Sequence, residues 1–308
     1  MTGATALLRD QVSVMTNTPR SFTDKWENNQ DLAFAETLRE GSRIRNWILT
    51  RNGFASAEDL ASYLKDKKRI LDAGCGNGRV TALLSQHVPP ETEVVGIDLV
   101  AADIARANLV DYPNVTVRPG NLLGDLSDLG TFDFIYCQEV LHHTGAPFEA
   151  FENVSRRLAP GGEIAIYVYK RKAPVREFVD DYVRERMAGM PYEEAIAHSA
   201  QFTEFGRALA SLNQKVSVPA LDLLEIPAGD YDVQRLFYHF FVKCFWNPDL
   251  SLAENHAINY DWYHPEDCTK HTLDEVRGWF ERVGLQVLHS HSDFYGITMR
   301  GRRAVAKA

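Results

Sequence analysis

The sequence has few cysteines and no long apolar run. Its four cysteines are widely spaced among 308 residues, unlike the dense disulfide framework of a small secreted domain. A reducing, cytoplasmic location is therefore expected. No stretch approaches the roughly 18 apolar residues of a membrane helix, and the opening MTGATALLRDQ has neither a basic start nor a long apolar core. The sequence predicts no membrane span and no signal peptide.

An excess of positive charge is also lacking. Lys and Arg number 33 against 42 Asp and Glu, which gives a net charge of −9. That sign is wrong for broad neutralisation of phosphates, so a nucleic-acid partner is not expected. Hydrophobic residues make up 45% and charged residues 24%, values typical of globular proteins rather than disordered chains. The length suits one large domain or two smaller ones.

Strand and helix patterns alternate between Lys68 and Tyr169. Short apolar runs that end in turns predict strands, and the segments between them have helical spacing. This alternation predicts a doubly wound α/β fold, with a mostly parallel seven-stranded sheet and helices on both faces. The predicted strands after the first are VVGIDL (94–99), VTVRPG (115–120), FDFIYCQ (132–138) and EIAIYVY (163–169), with helices near 101–109 and after Pro147.

Three further segments complete the predicted organisation. Residues 1–67 have helical spacing and form an N-terminal cap ahead of the core at 68–170. Residues 171–270 contain no clear buried strand and predict a helical lid, with helices near 192–213 and 231–246. Residues 271–308 return to the core as a helix and two strands. The first helix of the lid is marked as amphipathic by Val175, Phe178, Val179, Tyr182 and Val183, and the C-terminal helix begins at a capping box formed by Thr272 and Glu275.

A glycine-rich loop follows the first predicted strand and precedes a helix. Its backbone N–H groups can approach an anionic ligand group, because Gly74, Gly76 and Gly78 lack side chains. Asp98 ends the next strand, 22 residues after Gly76, where a carboxylate can accept hydrogen bonds from ribose hydroxyls. Together these features predict an adenosine-containing cofactor.

The third glycine distinguishes two cofactor classes. A dinucleotide fingerprint, G-x-G-x-x-G, requires a small residue where this chain has Arg79. LDAGCGNG (71–78) instead resembles the first motif of class I S-adenosylmethionine-dependent methyltransferases. The resemblance covers about 68–170 and, in part, 271–300. The later motifs follow in the family's order, as IDL (97–99), GNLL (120–123), FDFIYCQEVLHH (132–143) and LAPGGEIAIYVY (158–169).

This resemblance implies a binding site for S-adenosylmethionine. The loop glycines would approach its methionine and ribose portions, Asp98 would hold the ribose, and Asp72 would position the loop. Asn121 stands where the family often has an Asp facing the adenine amine, and its oxygen can accept the same bond. The cofactor-binding residues implied are Asp72, Gly74, Cys75, Gly76, Asn77, Gly78, Asp98, Leu99, Asn121, Leu122 and Gln138.

The residues that would act on the acceptor are expected beyond the fourth strand and under the lid. His142 and His143 follow that strand, and either could act as a general base or orient the loop. Aromatic residues are concentrated at 237–246 and 260–264, where they either form the core of the lid or line a pocket. The pocket candidates are Trp26, Tyr238, His239, Trp262 and Tyr263.

A metal is not expected. His264, Cys268 and His271 are spaced closely enough to share an ion, but zinc sites usually bring paired ligands on tight turns. The leading hypothesis is methyl transfer to a small molecule held under the lid, by in-line displacement from the cofactor. A tRNA or protein methyltransferase, an inactive cofactor-binding partner module and non-methyl chemistry stay open, as do a homodimer and the identity of the accepting atom.

Overall fold

A computed structural model describes residues 16–305 of the chain. Within these residues the chain forms twelve α-helices and nine strands. The strands are β1 (Arg69–Ala73), β2 (Glu93–Asp98), β3 (Val115–Pro119), β4 (Phe132–Gln138), β5 (Leu158–Tyr169), β6 (Lys215–Val218), β7 (Gly229–Asp232), β8 (Leu285–Ser292) and β9 (Gly296–Arg303). The helices are α1 (Thr18–Asn28), α2 (Phe34–Leu38), α3 (Arg43–Arg51), α4 (Ala57–Leu64), α5 (Arg79–Ser85), α6 (Ala102–Asn108), α7 (Pro147–Ser155), α8 (Pro174–Met187), α9 (Tyr192–Ser211), α10 (Val233–Phe240), α11 (Leu252–Tyr263) and α12 (Leu273–Arg282).

Seven strands form one sheet in the order β3-β2-β1-β4-β5-β9-β8. The pairs among β1 to β5 are parallel, and β9 runs antiparallel to both of its neighbours. The predicted doubly wound, mostly parallel seven-stranded fold is therefore confirmed. Because β1, β2, β4 and β5 run in the same direction, their last residues lie at one edge of the sheet, and ligands bind at that edge in open α/β folds. Those residues are Ala73, Asp98, Gln138 and Tyr169.

Both faces of the sheet are buried, as the parallel strands require. Neighbouring residues of β1 belong to different apolar clusters. Ile70 packs with α3, α4 and α5, whereas Leu71 packs with α7 and α12. This alternation follows from the two-residue period of a strand. It explains why the strands in the sequence appear as short continuous apolar runs.

The segment from 171 to 270 is mainly helical, as predicted. Helix α9 lies within the predicted range of 192–213, and α10 is shorter than the predicted 231–246. The hairpin of β6 and β7 and helix α11 were not predicted. Both strands of the hairpin are largely exposed, so the expectation of no buried strand in this segment is met. Aromatic residues of α11 pack against the end of β5 in a cluster that contains Tyr167, Tyr169, Tyr260, Trp262 and Tyr263.

Helix α8 forms as predicted, but its apolar stripe is not the buried face. Phe178 is 72% exposed and Tyr182 is 50% exposed. The buried face instead includes Arg176 and Asp180, which form an ion pair of 2.8 Å one helical turn apart. This pair satisfies two charges inside the protein and lets a charged face pack inward.

The N-terminal helices precede the sheet in sequence and contact the segment from 171 to 270 in space. Helix α1 packs on α11, since Ser21 Oγ lies 2.7 Å from His264 Nδ1 and Lys25 Nζ lies 2.7 Å from Asp261 Oδ2. The predicted capping box is present at the start of α12. All four cysteines are free thiols. Among the helices of the described residues, none combines the length and the apolar character that crossing a membrane requires.

Candidate active site

The glycine loop lies between the end of β1 and the start of α5. Gly74 and Gly76 have φ angles of +85° and +54°, which side chains with a Cβ rarely adopt. Space is limiting as well, because a Cβ on Gly76 would lie 2.7 Å from Cζ2 of Trp26. Glycine at this position therefore lets the indole of Trp26 lie directly on the loop.

Two carboxylates flank this loop. Asp98 Oδ2 accepts a hydrogen bond from Gly76 N at 2.9 Å, and Oδ1 accepts bonds from Val100 N and Ala101 N at 3.0 and 2.9 Å. A carboxylate accepts about four hydrogen bonds, so one position on Oδ2 is open to a ligand hydroxyl. Asp72 is buried and accepts a 2.6 Å bond from Thr81 Oγ1. Burial raises the pKa of Asp72 to about 7, although the bond from Thr81 acts to lower it.

A cavity of about 730 Å³ opens over the loop at the carboxyl edge of the sheet. We call it the larger cavity. Gly78 is the one predicted cofactor residue that is not part of its lining, because Gly78 faces Leu109 at the end of α6. The predicted residues that line it are Asp72, Gly74, Cys75, Gly76, Asn77, Asp98, Leu99, Asn121, Leu122 and Gln138.

The N-terminal helix covers the larger cavity. Thr18, Pro19, Phe22, Lys25 and Trp26, all on α1, contribute to its lining. The connection beyond α1 is tied to the glycine loop, since the side-chain amide of Asn77 donates 3.1 Å bonds to the carbonyls of Gln30 and Leu32. The loop and the segment that covers it are therefore held together by direct hydrogen bonds.

A second cavity of about 330 Å³ adjoins the first. We call it the smaller cavity. Its walls come from the N-terminal helices, the end of β5, α10, α11 and the turn before β9. Six residues line both cavities and form the wall between them. These are Lys25, Trp26, Arg79, Glu139, Tyr169 and Asp261.

The two histidines after β4 have different environments. His143 lines the larger cavity, and its Nδ1 lies 2.7 Å from the carbonyl of Asp267, so that Nδ1 is the protonated nitrogen. Burial lowers the pKa of His143 to about 4. His142 lines neither cavity among the described residues and stacks on Tyr169 with ring centroids 3.7 Å apart. Burial lowers its pKa well below the usual value.

Of the five predicted pocket residues, three line a cavity and two do not. Trp26 lines both cavities, and Tyr238 and Trp262 line the smaller one. His239 lies outside both linings and stacks on Phe294. Tyr263 packs in the aromatic cluster and donates its hydroxyl to the carbonyl of Lys243. The described residues contain no group of three or more metal-ligating side chains.

The glycine loop, the two carboxylates and the covering helix agree with one family. The sequence profile of the methyltransferase domain matches residues 43–290, most of the chain. The chain belongs to the methyltransferase domain family. This is an enzyme family whose cofactor is S-adenosylmethionine, and the resemblance inferred from the sequence is confirmed.

Individual relatives agree with the family match. The chain is 30% identical to trans-aconitate 2-methyltransferase of Deinococcus radiodurans over 157 residues, which are 50% of this chain and 56% of that protein. The chain thus spans about half the length of this relative. It is 26% identical to the ubiquinone biosynthesis O-methyltransferase of Psychrobacter arcticus over 245 residues, covering 75% of this chain and 86% of the relative.

A solved structure is similar in fold. It is an O-methyltransferase family protein from Burkholderia thailandensis, with a TM-score of 0.50 and 14% identity. The similarity covers 95% of this chain and 64% of that chain. At this level of identity the comparison supports the fold alone.

The larger cavity has the chemistry that S-adenosylmethionine requires. Its lining offers a buried carboxylate at Asp72 for a cationic amino group, and an open acceptor position on Asp98 for a hydroxyl. The loop glycines leave room for a ligand beside the backbone. The oxygen of Asn121 is partly engaged, because it accepts a 2.9 Å bond from Leu123 N.

Sequence reasoning missed most of the charged residues of the two cavities. Lys25, Arg79 and Asp261 belong to the wall between the cavities, whereas Lys172 and Lys243 line the smaller cavity. A signal existed for one of them, since Lys243 is the single lysine in the aromatic run FYHFFVKCFW. Lys25 and Lys172 occur in ordinary charged segments, where nothing local distinguishes a buried lysine from an exposed one.

Proposed function

We propose that this methyltransferase transfers the methyl group of S-adenosylmethionine to a small-molecule acceptor bound in the smaller cavity. The observation that carries the proposal is the wall of six residues that the two cavities share. Trp26 and Tyr169 are its two aromatic members. A cavity of about 330 Å³ is also within the usual size range of sites for small ligands. A tRNA or protein segment would instead need a wide, open mouth.

Asp72, the loop glycines and Asp98 would hold the cofactor in the larger cavity. When bound, S-adenosylmethionine supplies a methyl group on a positively charged sulfur, which an acceptor lone pair can take by in-line displacement. The chain's own task is to align the two ligands and to exclude water from the shared wall. Trp26 supports both roles, because it lies on Gly76 and lines both cavities.

A proton from the acceptor would leave at the shared wall. Two carboxylates lie there, each with a cationic partner. Glu139 is 3.2 Å from Arg79, and Asp261 is 2.7 Å from Lys25. His143 keeps Nε2 as its acceptor nitrogen but lines only the larger cavity. We infer that Glu139 or Asp261 is the better placed proton acceptor and that His143 positions the loop after β4. His142 has no access to either cavity among the described residues and supports the same loop by stacking on Tyr169.

The lid and the location also belong to this proposal. Segment 171–270 acts as the lid, which its contribution of Lys172, Tyr238, Lys243 and Trp262 to the smaller cavity supports. The proposed location is the cytoplasm, which the free cysteine thiols support.

Calorimetric titration with S-adenosylhomocysteine tests the cofactor half of the proposal, with NAD as the control ligand. We expect one site for S-adenosylhomocysteine and no heat with NAD. Binding of NAD, or of neither ligand, would contradict the proposal. Turnover is then followed as S-adenosylhomocysteine released from S-adenosylmethionine in the presence of candidate acceptors. A protein that binds the cofactor but methylates no acceptor in a broad screen would instead be a binding module.

A further inference from the structure

The smaller cavity is more cationic than the protein around it. Six cationic side chains and two carboxylates contribute to its lining, although the whole chain has a net charge of −9. Three of the six have carboxylate partners. The pairs are Lys25 with Asp261 at 2.7 Å, Arg79 with Glu139 at 3.2 Å and Arg43 with Asp249 at 3.3 Å.

The other three cations are Lys172, Arg235 and Lys243. Within residues 16–305, no carboxylate oxygen lies within 4.0 Å of their charged nitrogens. Lys172 and Lys243 are only 9% and 4% exposed. Nζ of Lys172 donates to the carbonyls of Phe294 and Tyr295 at 2.8 and 2.6 Å, so its charge is hydrogen-bonded but not neutralised.

Lys243 and Arg235 are less satisfied than Lys172. Nζ of Lys243 lies 4.4 Å from the ring centroid of Trp262 and makes no hydrogen bond or ion pair with the described residues. Nη1 of Arg235 is buried and has no hydrogen-bond partner in the described part of the chain. The indole N–H of Trp262 is likewise buried without an acceptor there. Three residues that line one cavity thus have donor groups without a hydrogen-bond acceptor among the described residues.

Such an arrangement is costly without a counter-charge. Transfer of an unpaired cation out of water is unfavourable, and buried charges in proteins are normally paired. The cost is visible in this cavity, because burial lowers the pKa of Lys243 to about 8 and that of Lys172 well below its usual value. A bound anion would raise both pKa values and favour the charged ammonium groups.

The walls around the three cations are aromatic. Trp47, Tyr167, Tyr238, Trp262 and Tyr295 line the same cavity. Aromatic walls favour flat ligands, which stack on ring faces or pack against ring edges. The cavity thus combines a cationic end with flat apolar sides.

We propose that the acceptor is a flat, aromatic or conjugated acid whose anionic group is held by Lys172, Arg235 and Lys243. None of these three lines the larger cavity. They therefore anchor the acid away from the shared wall, and the methyl-accepting atom lies toward that wall. This inference rests on the proposed function and adds the substrate class to it.

The test compares acids with uncharged analogues of the same shape. The full-length protein is titrated calorimetrically with benzoate and trans-cinnamate, and with benzamide and trans-cinnamamide, at saturating S-adenosylhomocysteine and again without it. We expect each acid to bind at least about tenfold more tightly than its amide, from the charge-assisted hydrogen bonds. Phenyl phosphate is the second anionic probe. If phenyl phosphate binds, the cavity recognises anionic groups in general. If it does not bind, the cavity is selective for a carboxylate. Either result supports the inference.

Two lysine variants complete the test. Lys243→Met keeps the apolar stem and removes the charge, and it should reduce the preference for acids, because one of the three anchoring cations is lost. Lys215→Met removes the same charge from an exposed position on β6 and should preserve the preference. The affinity of each variant for S-adenosylhomocysteine reports on folding and on the cofactor site separately.

Equal affinity for acids and amides, or no binding of either acid, would overturn the inference. The same holds if Lys243→Met keeps the full preference for acids. Failure to bind S-adenosylhomocysteine would instead contradict the proposed function, and the titrations without it would still decide the preference for acids.

Discussion

The backbone amide of Gly76 donates a 2.9 Å hydrogen bond to the carboxylate of Asp98. This bond joins the glycine loop after β1 to the end of β2, so a single acidic side chain shapes the loop and faces the larger cavity. Two more backbone amides bind the other oxygen of Asp98. Its charge is therefore held in place before any ligand arrives.

Replacing Asp98 by Asn tests these two roles together. The Asn oxygen can still accept the bonds from Val100 N and Ala101 N, but the amide nitrogen in the place of Oδ2 accepts a bond neither from Gly76 N nor from a ribose hydroxyl. We expect Asp98→Asn to weaken S-adenosylhomocysteine binding by about 1.5–3 kcal/mol, measured by calorimetry. Asp111→Asn, on an exposed residue, is the control. Unchanged affinity in a folded Asp98→Asn protein would remove Asp98 from the cofactor site.

The raised pKa of Asp72 predicts a pH dependence for cofactor binding. Burial raises this pKa to about 7, whereas a cationic amino group of the ligand would bind the ionised form. Affinity for S-adenosylhomocysteine should therefore rise as the pH increases from 6 to 8 and then level off. The other ionisable groups that interact electrostatically with this carboxylate are Arg79, Asp98, Tyr136, Cys75 and Cys137.

Calorimetry at several pH values measures this dependence. In Asp72→Asn the carboxyl is absent, so the rise with pH should disappear and the affinity should stay low throughout. An equal slope in the variant and in the unaltered protein would assign the titration to another group.

The buried ion pair of helix α8 predicts that the stability of the protein is unusually sensitive to the loss of either partner. Arg176 and Asp180 are 1% and 0% exposed at their side chains, so removing one partner leaves an uncompensated charge inside the protein. We expect Asp180→Asn to lower the free energy of unfolding by about 3–5 kcal/mol. The exposed pair of Arg207 and Glu204 supplies a matched control, since Glu204→Gln should change it by less than about 1 kcal/mol.

Chemical denaturation measures both variants. A loss in Asp180→Asn no larger than that in Glu204→Gln would mean that the pair contributes little where it is buried. Phe178→Ser is a useful third variant, because the exposed aromatic ring should be dispensable for folding despite its place in the apolar stripe of the sequence.

The sheet and the cofactor loop could be predicted because their signals are local. Asp72 to Gly78 and Asp98 lie at strand ends, and parallel strands of known order bring those ends together. The face of α8 could not be predicted in this way. The helical pattern is identified from the spacing of apolar residues, whereas the buried face of α8 contains two opposite charges that form an ion pair.

Helix α11 was missed for a related reason. Its buried positions include Asn255 and Asn259, whose side chains bond to the carbonyls of Asn247 and Phe245 among others. Because these buried positions are polar, the sequence of α11 lacks the regular apolar spacing that predicts a helix. Part of the smaller cavity was predicted, since Trp26, Tyr238 and Trp262 were among the pocket candidates. Its cationic end was not, because Lys172 lies far in the sequence from Arg235 and Lys243 and meets them only in the folded chain.

The ion pair between Lys25 and Asp261 joins residues 236 positions apart in the sequence. During synthesis the glycine loop and β1 to β5 leave the ribosome long before Asp261 does. The cover of the larger cavity is therefore completed late, when α11 reaches α1. A nascent chain that ends before α11 would present the cofactor loop without this anchor, so we expect tight cofactor binding only after α11 has been synthesised.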